Sequence, residues 1–426
     1  MAVRMARRFP AVQSELRDSD NSQKVAQAFP PASQGGIRPA GCAAGAETTR
    51  SRDGCATRSL DTCRILKDAR LLRRANVKIA VLISGGVDSS VALRLVKQAG
   101  HRDIAAFYLK IWLEDELAYL GNCPWEEDLK YARSVCEQAG VPLNVISLQA
   151  EYQERVVSAA VEELRAGRTP SPDIWCNQRI KFGLFFEKID AGFDKIVSGH
   201  YAQVEERGDL RLLKRSPDPV KDQTYFLCAL NQKQLRRLWF PIGHLRKDGV
   251  RRLAREYDLP NRDRKDSQGI CFLGKIKYPE FVRHHLGERA GEIVELETGR
   301  TLAGHRGFWF YTIGQRKGIG LAGGPWYVVK KDVAANRVYV SHSDRFLDHA
   351  RRQFNVSSMN WIGGEPQRLQ LQAKVRHGPR LTDCRLRPLD DGRWEVTLTE
   401  PDQGIASGQS VVFYDGEYCL GGGMIE

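Results

Sequence analysis

The sequence has 426 residues, of which 42% are hydrophobic and 27% are charged, so it is long enough for two or three globular domains. No apolar run approaches the roughly 20 residues that a membrane-spanning helix needs, and we therefore expect no membrane partner. The formal net charge is +13, and residues 1–76, with 14 Lys or Arg against 7 Asp or Glu, account for +7 of it. The remaining positive charge suits a polyanionic partner such as RNA, although a solvated basic surface accounts for it too.

The first 76 residues show no strand or helix periodicity until about Leu60. They open with the arginine-rich run MAVRMARRFPAVQS, which contains no acidic residue. Such an opening is typical of an organelle transit peptide. The acidic residues further along leave a disordered extension as the alternative.

The run VKIAVLI at 77–83 predicts a buried parallel strand, and the pattern that follows it predicts a helix ending at Gln98. Between them lies SGGVDSS at 84–90, in which two glycines let backbone N–H groups approach a ligand without a Cβ in the way. Three serine hydroxyls and the positive end of the helix point to the same place. This combination favours a phosphate chain as the ligand.

The SGGVDSS segment differs from a Walker loop, which ends in Gly-Lys-Ser or Gly-Lys-Thr, because it has no lysine between Ser84 and Lys97. Its pattern is typical instead of the pyrophosphate loop of enzymes that split ATP into AMP and pyrophosphate. An ordinary glycine-containing turn is the alternative, and the buried strand in front of the full motif argues against it.

The next part of the chain alternates between strand and helix patterns. This alternation predicts an α/β domain with a doubly wound parallel sheet, in which ligands collect at the carboxyl ends of the strands. Ser84–Ser90, Leu109 and Ser198–Tyr201 all fall at such ends, so we expect them to share one cleft. The predicted elements are strands at 103–112, 141–148 and 193–204 and helices at 125–140 and 151–167.

From about residue 280 the pattern changes to short alternating strands separated by glycines, and Asp415-Gly416 marks a hairpin turn near the end. We therefore predict a catalytic domain over 77–278, a small central domain over 279–352 and a β-barrel or sandwich over 353–426.

The ten cysteines contain no CxxC pair and no regular spacing. Neither a zinc site nor the disulfide framework of a secreted domain is indicated, and the sequence assigns no metal-ligating residues. A lone cysteine on an apolar stretch is more often core packing than a nucleophile.

Five motifs together resemble the tRNA-specific 2-thiouridylases, the MnmA family. The resemblance runs from about Val77 to Glu426, in the family's order and spacing, and residues 1–76 fall outside it. It includes YTIGQRKGIG and the closing CLGGGMIE. The five motifs are SGGVDSS at 84–90, GRTPSPDIWCNQRIKF at 167–182, SGHYA at 198–202, KDQTYFL at 221–227 and KDSQGICFLG at 265–274.

The resemblance implies a doubly wound sheet of the PP-loop ATP-pyrophosphatase type and replacement of the 2-oxygen of the wobble uridine by sulfur. ATP would transfer AMP to that oxygen so that it leaves as AMP. Cys271 would carry the sulfur as a persulfide, and Cys176 would be the partner nucleophile that ends in a disulfide with it. A persulfide donor is therefore an implied partner beside tRNA. Trp175 stands where the family usually has an aliphatic residue.

The resemblance also implies which residues hold ATP. Asp88 would bind magnesium or order the loop. Leu109, where the family commonly has methionine, and Gly199 would contact the adenine side. The implied ATP-contacting residues are Leu82, Ile83, Ser84, Gly85, Gly86, Val87, Asp88, Ser89, Leu109 and Gly199.

Reaching a base in an anticodon requires taking it out of the stack and holding the backbone around it. By resemblance one short segment meets the target base, and residues further along the chain contact tRNA elsewhere. His377 stands where the family usually has tyrosine. The base-contacting segment is Ser171, Pro172 and Asp173, and the other tRNA contacts are His200, Lys221, Asp222, Gln223, Arg376, His377 and Gln409.

Two other functions share some of these features. Another ATP pyrophosphatase acting on a small-molecule carbonyl would keep SGGVDSS but need no cysteine pair, and no glutaminase signature appears. A non-catalytic RNA-binding protein would not need Asp88, Cys176 and Cys271, which are all present. We expect a monomer, and the segment at 122–143 resembles plastid and cyanobacterial members more than mitochondrial ones, which favours a plastid location.

Overall fold

Five parallel strands form the first sheet of the structure, a computed structural model that describes residues 77–111, 125–266 and 277–426. Their order, β3-β2-β1-β4-β7, confirms the predicted doubly wound sheet. All four residues of β1 are buried, which is why this strand reads as a continuous apolar run. The strands are β1 (Ile79–Leu82), β2 (Ile104–Lys110), β3 (Leu143–Ser147), β4 (Lys195–Val197) and β7 (Leu238–Trp239).

The helices of this domain lie between and after these strands. Two of the helical stretches contain a π-helical segment, Gln153–Val157 and Cys176–Leu184, and such segments often occur at functional sites. The α-helices are α1 (Val87–Gln98), α2 (Trp125–Ala139), α3 (Gln149–Tyr152), α4 (Ser158–Arg165), α5 (Pro172–Trp175), α6 (Phe185–Lys188), α7 (Gln232–Arg237) and α8 (Lys247–Glu256).

The single strand predicted at 193–204 is wrong in one respect, because it consists of two strands in different sheets. β4 ends at Val197, and β5 (Ala202–Arg207) pairs with β6 (Leu210–Arg215) in an antiparallel hairpin. The turn-forming residues Ser198–Tyr201 separate the two. β6 in turn pairs with the last strand of the chain, so this hairpin leaves the catalytic sheet and extends the C-terminal one.

The central part of the chain begins with helix α9 (Tyr278–Leu286) and continues as a four-stranded sheet of order β10-β11-β8-β9. A small apolar core that includes Ile293, Phe308 and Val338 lies beneath it. The strands are β8 (Gly291–Glu295), β9 (Thr301–His305), β10 (Trp326–Asp332) and β11 (Arg337–His342).

The last six strands form a closed antiparallel barrel, which resolves the predicted choice between barrel and sandwich. Closure follows from the first strand, β12, which pairs with both β15 and β17. The Asp415-Gly416 turn joins β16 to β17, as predicted. The strands are β12 (Arg351–Trp361), β13 (Gln370–Lys374), β14 (Thr382–Pro388), β15 (Trp394–Asp402), β16 (Ser410–Asp415) and β17 (Tyr418–Ile425).

No helix in the described ranges is long and apolar enough to cross a membrane.

A buried ionic cluster joins the barrel to the catalytic domain. Asp222 accepts a hydrogen bond from Lys374 Nζ of β13 at 3.1 Å and one from Arg215 Nε of β6 at 3.2 Å. The side chains of Asp222 and Lys374 are fully buried. Burying a charge is costly unless it is paired, so each of these groups depends on the others.

We expect Lys374→Met to destabilise the protein, because it leaves Asp222 buried with only part of its compensating charge. Breaking a buried pair costs about 3 kcal/mol, which corresponds to a fall of at least about 5 °C in the midpoint of thermal unfolding. Arg380→Met is the control, since it removes an exposed ion pair with Glu400 that contributes about 1 kcal/mol or less. Equal midpoints for the two variants would contradict the assigned role of the cluster.

Candidate active site

The SGGVDSS loop joins β1 to α1 at the carboxyl edge of the parallel sheet. Gly86 caps the helix, and Gly85 has a φ of 75°. A Cβ at Gly85 would lie 2.2 Å from the carbonyl oxygen of Asp128, so only glycine fits there. The two glycines therefore have different structural roles. Gly86 begins the helix, and Gly85 allows the loop backbone to approach the backbone of Asp128.

Hydroxyl groups within the loop hold its shape. Ser89 Oγ and Ser90 Oγ each donate to the carbonyl oxygen of Gly86 at 3.0 Å, and Ser84 N–H donates to Ser89 Oγ at 3.2 Å. Ser90 is fully buried, whereas Ser84 is exposed. The loop is thus ordered by its own contacts, and Ser84 is the hydroxyl best placed for a ligand.

Asp88 in the first turn of α1 lies against a lysine from a distant part of the chain. Its Oδ1 accepts hydrogen bonds from Lys247 Nζ at 2.7 Å and from Tyr201 Oη at 2.8 Å. Burial, with the nearby Asp88 charge, raises the pKa of Tyr201, so this hydroxyl remains a donor. Lys247 begins helix α8, and the sequence analysis missed it because no local motif marks it.

Lys247 also bonds Asp266 at 2.8 Å, and Lys221 Nζ donates to the same carboxylate at 2.6 Å. Burial opposes ionisation of Asp266, but its hydrogen bonds from Lys221 and Lys247 lower its pKa to about 2. A loop that lacks the Walker lysine therefore obtains nearby positive charge from α8. Lys221, a predicted tRNA contact, is held in this cluster at the nucleotide side.

Two further residues that the sequence analysis missed support the loop from the segment that follows α8. Asn261 Nδ2 donates to Gly85 O at 2.7 Å and to Ser90 Oγ at 2.9 Å, and Arg264 donates to the same Gly85 oxygen at 3.1 Å. The sequence carries no signal for either residue, because the burial of Asn261 is apparent only in the fold. Cys271 itself lies outside the described residues.

Gly199 and Leu109, the predicted adenine contacts, lie at the carboxyl ends of β4 and β2, the two strands that flank β1. Because β4 is hydrogen-bonded to β1, their carboxyl ends are neighbours, and a Cβ at Gly199 would lie 2.6 Å from the backbone nitrogen of Ser89. Leu109 is partly buried near the end of β2 and packs against the apolar cluster that contains Cys176. Leu82 and Ile83 have buried side chains, and Val87 is buried too, so any contact with a ligand from these three comes through the backbone.

Cys176 follows α5 directly and starts the π-helical segment Cys176–Leu184. Its side chain is completely buried, and burial raises the pKa of the thiol despite the charge of Lys181 and a hydrogen bond with Tyr152 that lower it. The thiol is therefore protonated and shielded from solvent in this conformation. Trp175, beside it, lies under the guanidinium of Arg179 at 5.0 Å.

The predicted base-contacting segment lies against the barrel. Thr169 N–H donates to Ser407 O at 2.8 Å, and Gly408 packs so closely that a Cβ there would approach Thr169 N to 3.0 Å. Gln409 follows this contact, and Ser171–Asp173 follow Thr169 as the start of α5. The structure thus brings the 171–173 segment and Gln409 to the same domain junction.

His377 of the barrel also faces this junction. Its ring stacks on Phe226 with centroids 4.5 Å apart, and Asn177, next to Cys176, donates to Phe226 O at 3.0 Å. Burial lowers the pKa of His377, although the nearby Asp222 carbonyl and the Asp173 charge oppose this. Asp173 and His377, predicted from separate motifs, are therefore linked through the charge of Asp173, which acts on the His377 ring.

The other predicted tRNA contacts have partners within the protein. Ser198 Oγ lies 2.8 Å from Nδ1 of His200. Burial lowers the pKa of His200 to about 3, so its ring is neutral. Gln223 Oε1 accepts from Tyr201 N–H at 2.9 Å. Arg376 forms two hydrogen bonds with Asp402 at 2.7 and 2.8 Å and remains partly exposed.

Asp222 is the most deeply buried of the predicted tRNA contacts. Its carboxylate forms ion pairs with Lys374 and Arg215 inside the protein. Within the described ranges, no group of three or more His, Cys, Asp or Glu side chains could hold a metal ion. The five described cysteines, Cys136, Cys176, Cys228, Cys384 and Cys419, are free and buried.

The parallel sheet with its glycine-serine loop defines a PP-loop ATP pyrophosphatase. Three family models match the chain in succession: a tRNA methyl transferase HUP domain at residues 77–275, a tRNA methyl transferase PRC-barrel domain at 279–342 and an aminomethyltransferase beta-barrel domain at 351–425.

Curated relatives match the same part of the chain. The tRNA-specific 2-thiouridylase MnmA of Parabacteroides distasonis is 45% identical over 356 residues, which are 82% of this chain and 99% of that protein. That of Porphyromonas gingivalis is 43% identical over 358 residues, 82% of this chain and 98% of that protein. The chain belongs to the MnmA family of tRNA-specific 2-thiouridylases.

We expect Gly199→Ala to weaken ATP binding, because its methyl group would enter the space occupied by the loop at Ser89. Overpacking of this kind costs about 1–3 kcal/mol, and if the loop relieves it by moving away from its binding geometry, ATP affinity should fall by up to about a hundredfold. Gly249→Ala in α8 is the matched control, since no atom lies within 4 Å of its added Cβ. Titration calorimetry measures the ATP affinity of both variants. An unchanged affinity in Gly199→Ala would contradict the predicted role of Gly199 beside bound ATP.

Proposed function

We propose that this chain converts the wobble uridine of tRNA to 2-thiouridine, with ATP activating the 2-oxygen and a cysteine persulfide supplying the sulfur. Membership of the MnmA family makes the chain a tRNA sulfurtransferase that uses ATP. The observation that carries the sulfur route is the position of Cys176. It lies about one helical turn after Asp173, whose charge acts on His377 of the barrel, and it belongs to the buried apolar cluster against which Leu109 packs. This position supports a thiol that acts between the expected base and adenine sites.

In the first step the 2-oxygen of the uridine attacks the α-phosphorus of ATP. An oxygen–phosphorus bond forms, the bond between the α-phosphorus and its bridging oxygen breaks, and pyrophosphate leaves. The N-terminus of α1 and Lys247 stabilise the charge that develops on the pyrophosphate. This step turns a poor leaving group into AMP.

Magnesium fits this step, because both described hydrogen bonds of Asp88 go to Oδ1. The other carboxylate oxygen, Oδ2, is the one that would bind the ion. Mg²⁺ is commonly bound through one or two carboxylates together with substrate phosphates and water. Asp88 and the phosphates of ATP would hold the ion, which would neutralise charge on the departing pyrophosphate.

In the second step the terminal sulfur of a Cys271 persulfide attacks C2 of the base, and AMP leaves with the former 2-oxygen. Cys176, after losing its proton, attacks the Cys271 sulfur and breaks the sulfur–sulfur bond. The outer sulfur stays on the base, and a Cys176–Cys271 disulfide remains. A thiol reductant supplies two electrons to reopen it, and a persulfide donor recharges Cys271.

Replacing either cysteine with serine should stop thiolation, but at different points. Cys271→Ser should fail to take labelled sulfur from a persulfide donor, whereas Cys176→Ser should accept the label and stall afterwards. Cys384→Ser, which changes another buried cysteine within the barrel, is the control and should turn over normally. Single-turnover transfer of labelled sulfur to tRNA, followed by peptide mapping without reductant, distinguishes these cases.

Full turnover by either serine variant would contradict the sulfur route. A disulfide between Cys271 and a cysteine other than Cys176 would contradict the pairing. Both results would leave ATP-dependent activation of the base intact, since no thiol takes part in that step.

We also propose that the chain acts in an organelle, with a plastid favoured over a mitochondrion, and as a monomer. The composition of residues 1–76 and the start of the family match at residue 77 support an import segment. A fusion of residues 1–76 to a fluorescent protein should enter plastids. Fluorescence confined to the cytosol would reject import, and mitochondrial fluorescence would reject the plastid.

A further inference from the structure

A basic cavity lies where the three domains meet, beside the contact between Thr169 and Ser407. It has a volume of about 490 Å³, within the range of ligand-binding cavities. Its walls come from residues 166–169 of the catalytic domain, from the central sheet and from residues 402–407 of the barrel. The cationic side chains that line it are Arg168, Lys330, Lys331 and Arg351, and Asp402 is the acidic one.

Of these cations only Arg168 has a carboxylate partner, Glu163, in the described part of the chain, and Lys330 lies over the ring of Tyr339. Lys331 Nζ donates to the carbonyl oxygen of Tyr311 at 3.2 Å, and Arg351 donates to that of Ile405 at 2.5 Å. Asp402, by contrast, accepts hydrogen bonds from Arg376 on both of its carboxylate oxygens, so its charge is already paired. The cavity therefore has an excess of positive charge, and a concave surface of one sign concentrates the opposite charge.

The ammonium group of Lys331 is strongly desolvated in this arrangement. Burial lowers its pKa to about 8, with no nearby acid to oppose the shift. A desolvated ammonium group of this kind is stabilised when an anion arrives beside it. An oxyanion in the cavity would supply the charge that the protein does not.

The residues that line the cavity are close along the chain to the predicted tRNA contacts, and one of them is bonded to such a contact. Its wall at residues 402–407 contains Asp402, the partner of Arg376, and ends two residues before Gln409. Its wall at 166–169 leads directly into Ser171 at the start of the predicted base-contacting segment. The cavity lining and the predicted tRNA contacts are therefore joined by short stretches of chain.

We propose that this cavity is a phosphate site, lined by Lys331 and Arg351, that holds the backbone of bound tRNA. The proposal rests on tRNA being the substrate and adds a contact that lies away from the wobble base. The contact is independent of sequence, because phosphates position a nucleic acid without specifying its bases. It would fix the central domain against tRNA while the base is held at the Cys176 side.

The test is tRNA affinity measured over a range of salt concentrations, without ATP or sulfur donor. Lys331→Gln and Arg351→Gln should each weaken binding at least about fivefold and reduce the slope of log affinity against log salt by about 0.7–0.9, the value for one phosphate contact. Lys331→Arg keeps the charge and should bind like the wild type. Arg387→Gln, an equal loss of charge at an exposed pair with Glu395, should change affinity less than about twofold.

Unchanged affinity and salt slope in both glutamine variants would overturn the phosphate site. Loss of stabilisation by millimolar inorganic phosphate in Lys331→Gln, with tRNA binding unchanged, would identify a free-anion site and overturn the assignment to RNA. Failure of the wild type to bind tRNA would overturn the proposed function as well. Normal binding without thiolation would count against the sulfur route and leave the cavity assignment standing.

Discussion

The attachment of the barrel to the catalytic domain is the constraint on which the site depends. Backbone pairing of β6 with β17 extends the barrel sheet with a hairpin from the catalytic domain, and the buried Asp222–Lys374 pair locks the two together. The backbone of Asp222 also lies 3.3 Å from His377 Nε2. Because residues 210–222 of the catalytic domain make all these contacts, the barrel residues near His377 are held in a fixed position relative to the catalytic domain.

The distribution of charge follows from this arrangement. The nucleotide loop contains no cation, yet Lys247 reaches Asp88 from α8, and Lys221 reaches the same cluster from the segment beside Asp222. The RNA side instead combines neutral or paired groups, such as His200 and Arg376, with the open basic cavity. If the proposed sites are right, phosphate recognition is spread over three domains, while the thiol of Cys176 is shielded from solvent.

The doubly wound sheet could be predicted because its strands are apolar runs bounded by glycine, and the loop because its residues are local in sequence. The division of 193–204 into two strands could not, since Ser198–Tyr201 breaks the strand through a turn that an apolar count does not detect. The ion pair between Lys247 and Asp88 could not be predicted either, because a contact between residues far apart in the chain leaves no periodic pattern in the sequence. The burial of Asp222 was missed for the same reason, since a charged residue in KDQ reads as solvated until its partners are known.

The account states that the 2-oxygen of the wobble uridine leaves as part of AMP. Transfer of isotope therefore tests it most directly: tRNA carrying ¹⁸O at that position is incubated with the purified chain, ATP and a persulfide donor, and the products are analysed by mass spectrometry. The account predicts one ¹⁸O atom in AMP for each 2-thiouridine formed and none in pyrophosphate. Thiolated tRNA formed with unlabelled AMP, or with the label in pyrophosphate or water, would contradict it.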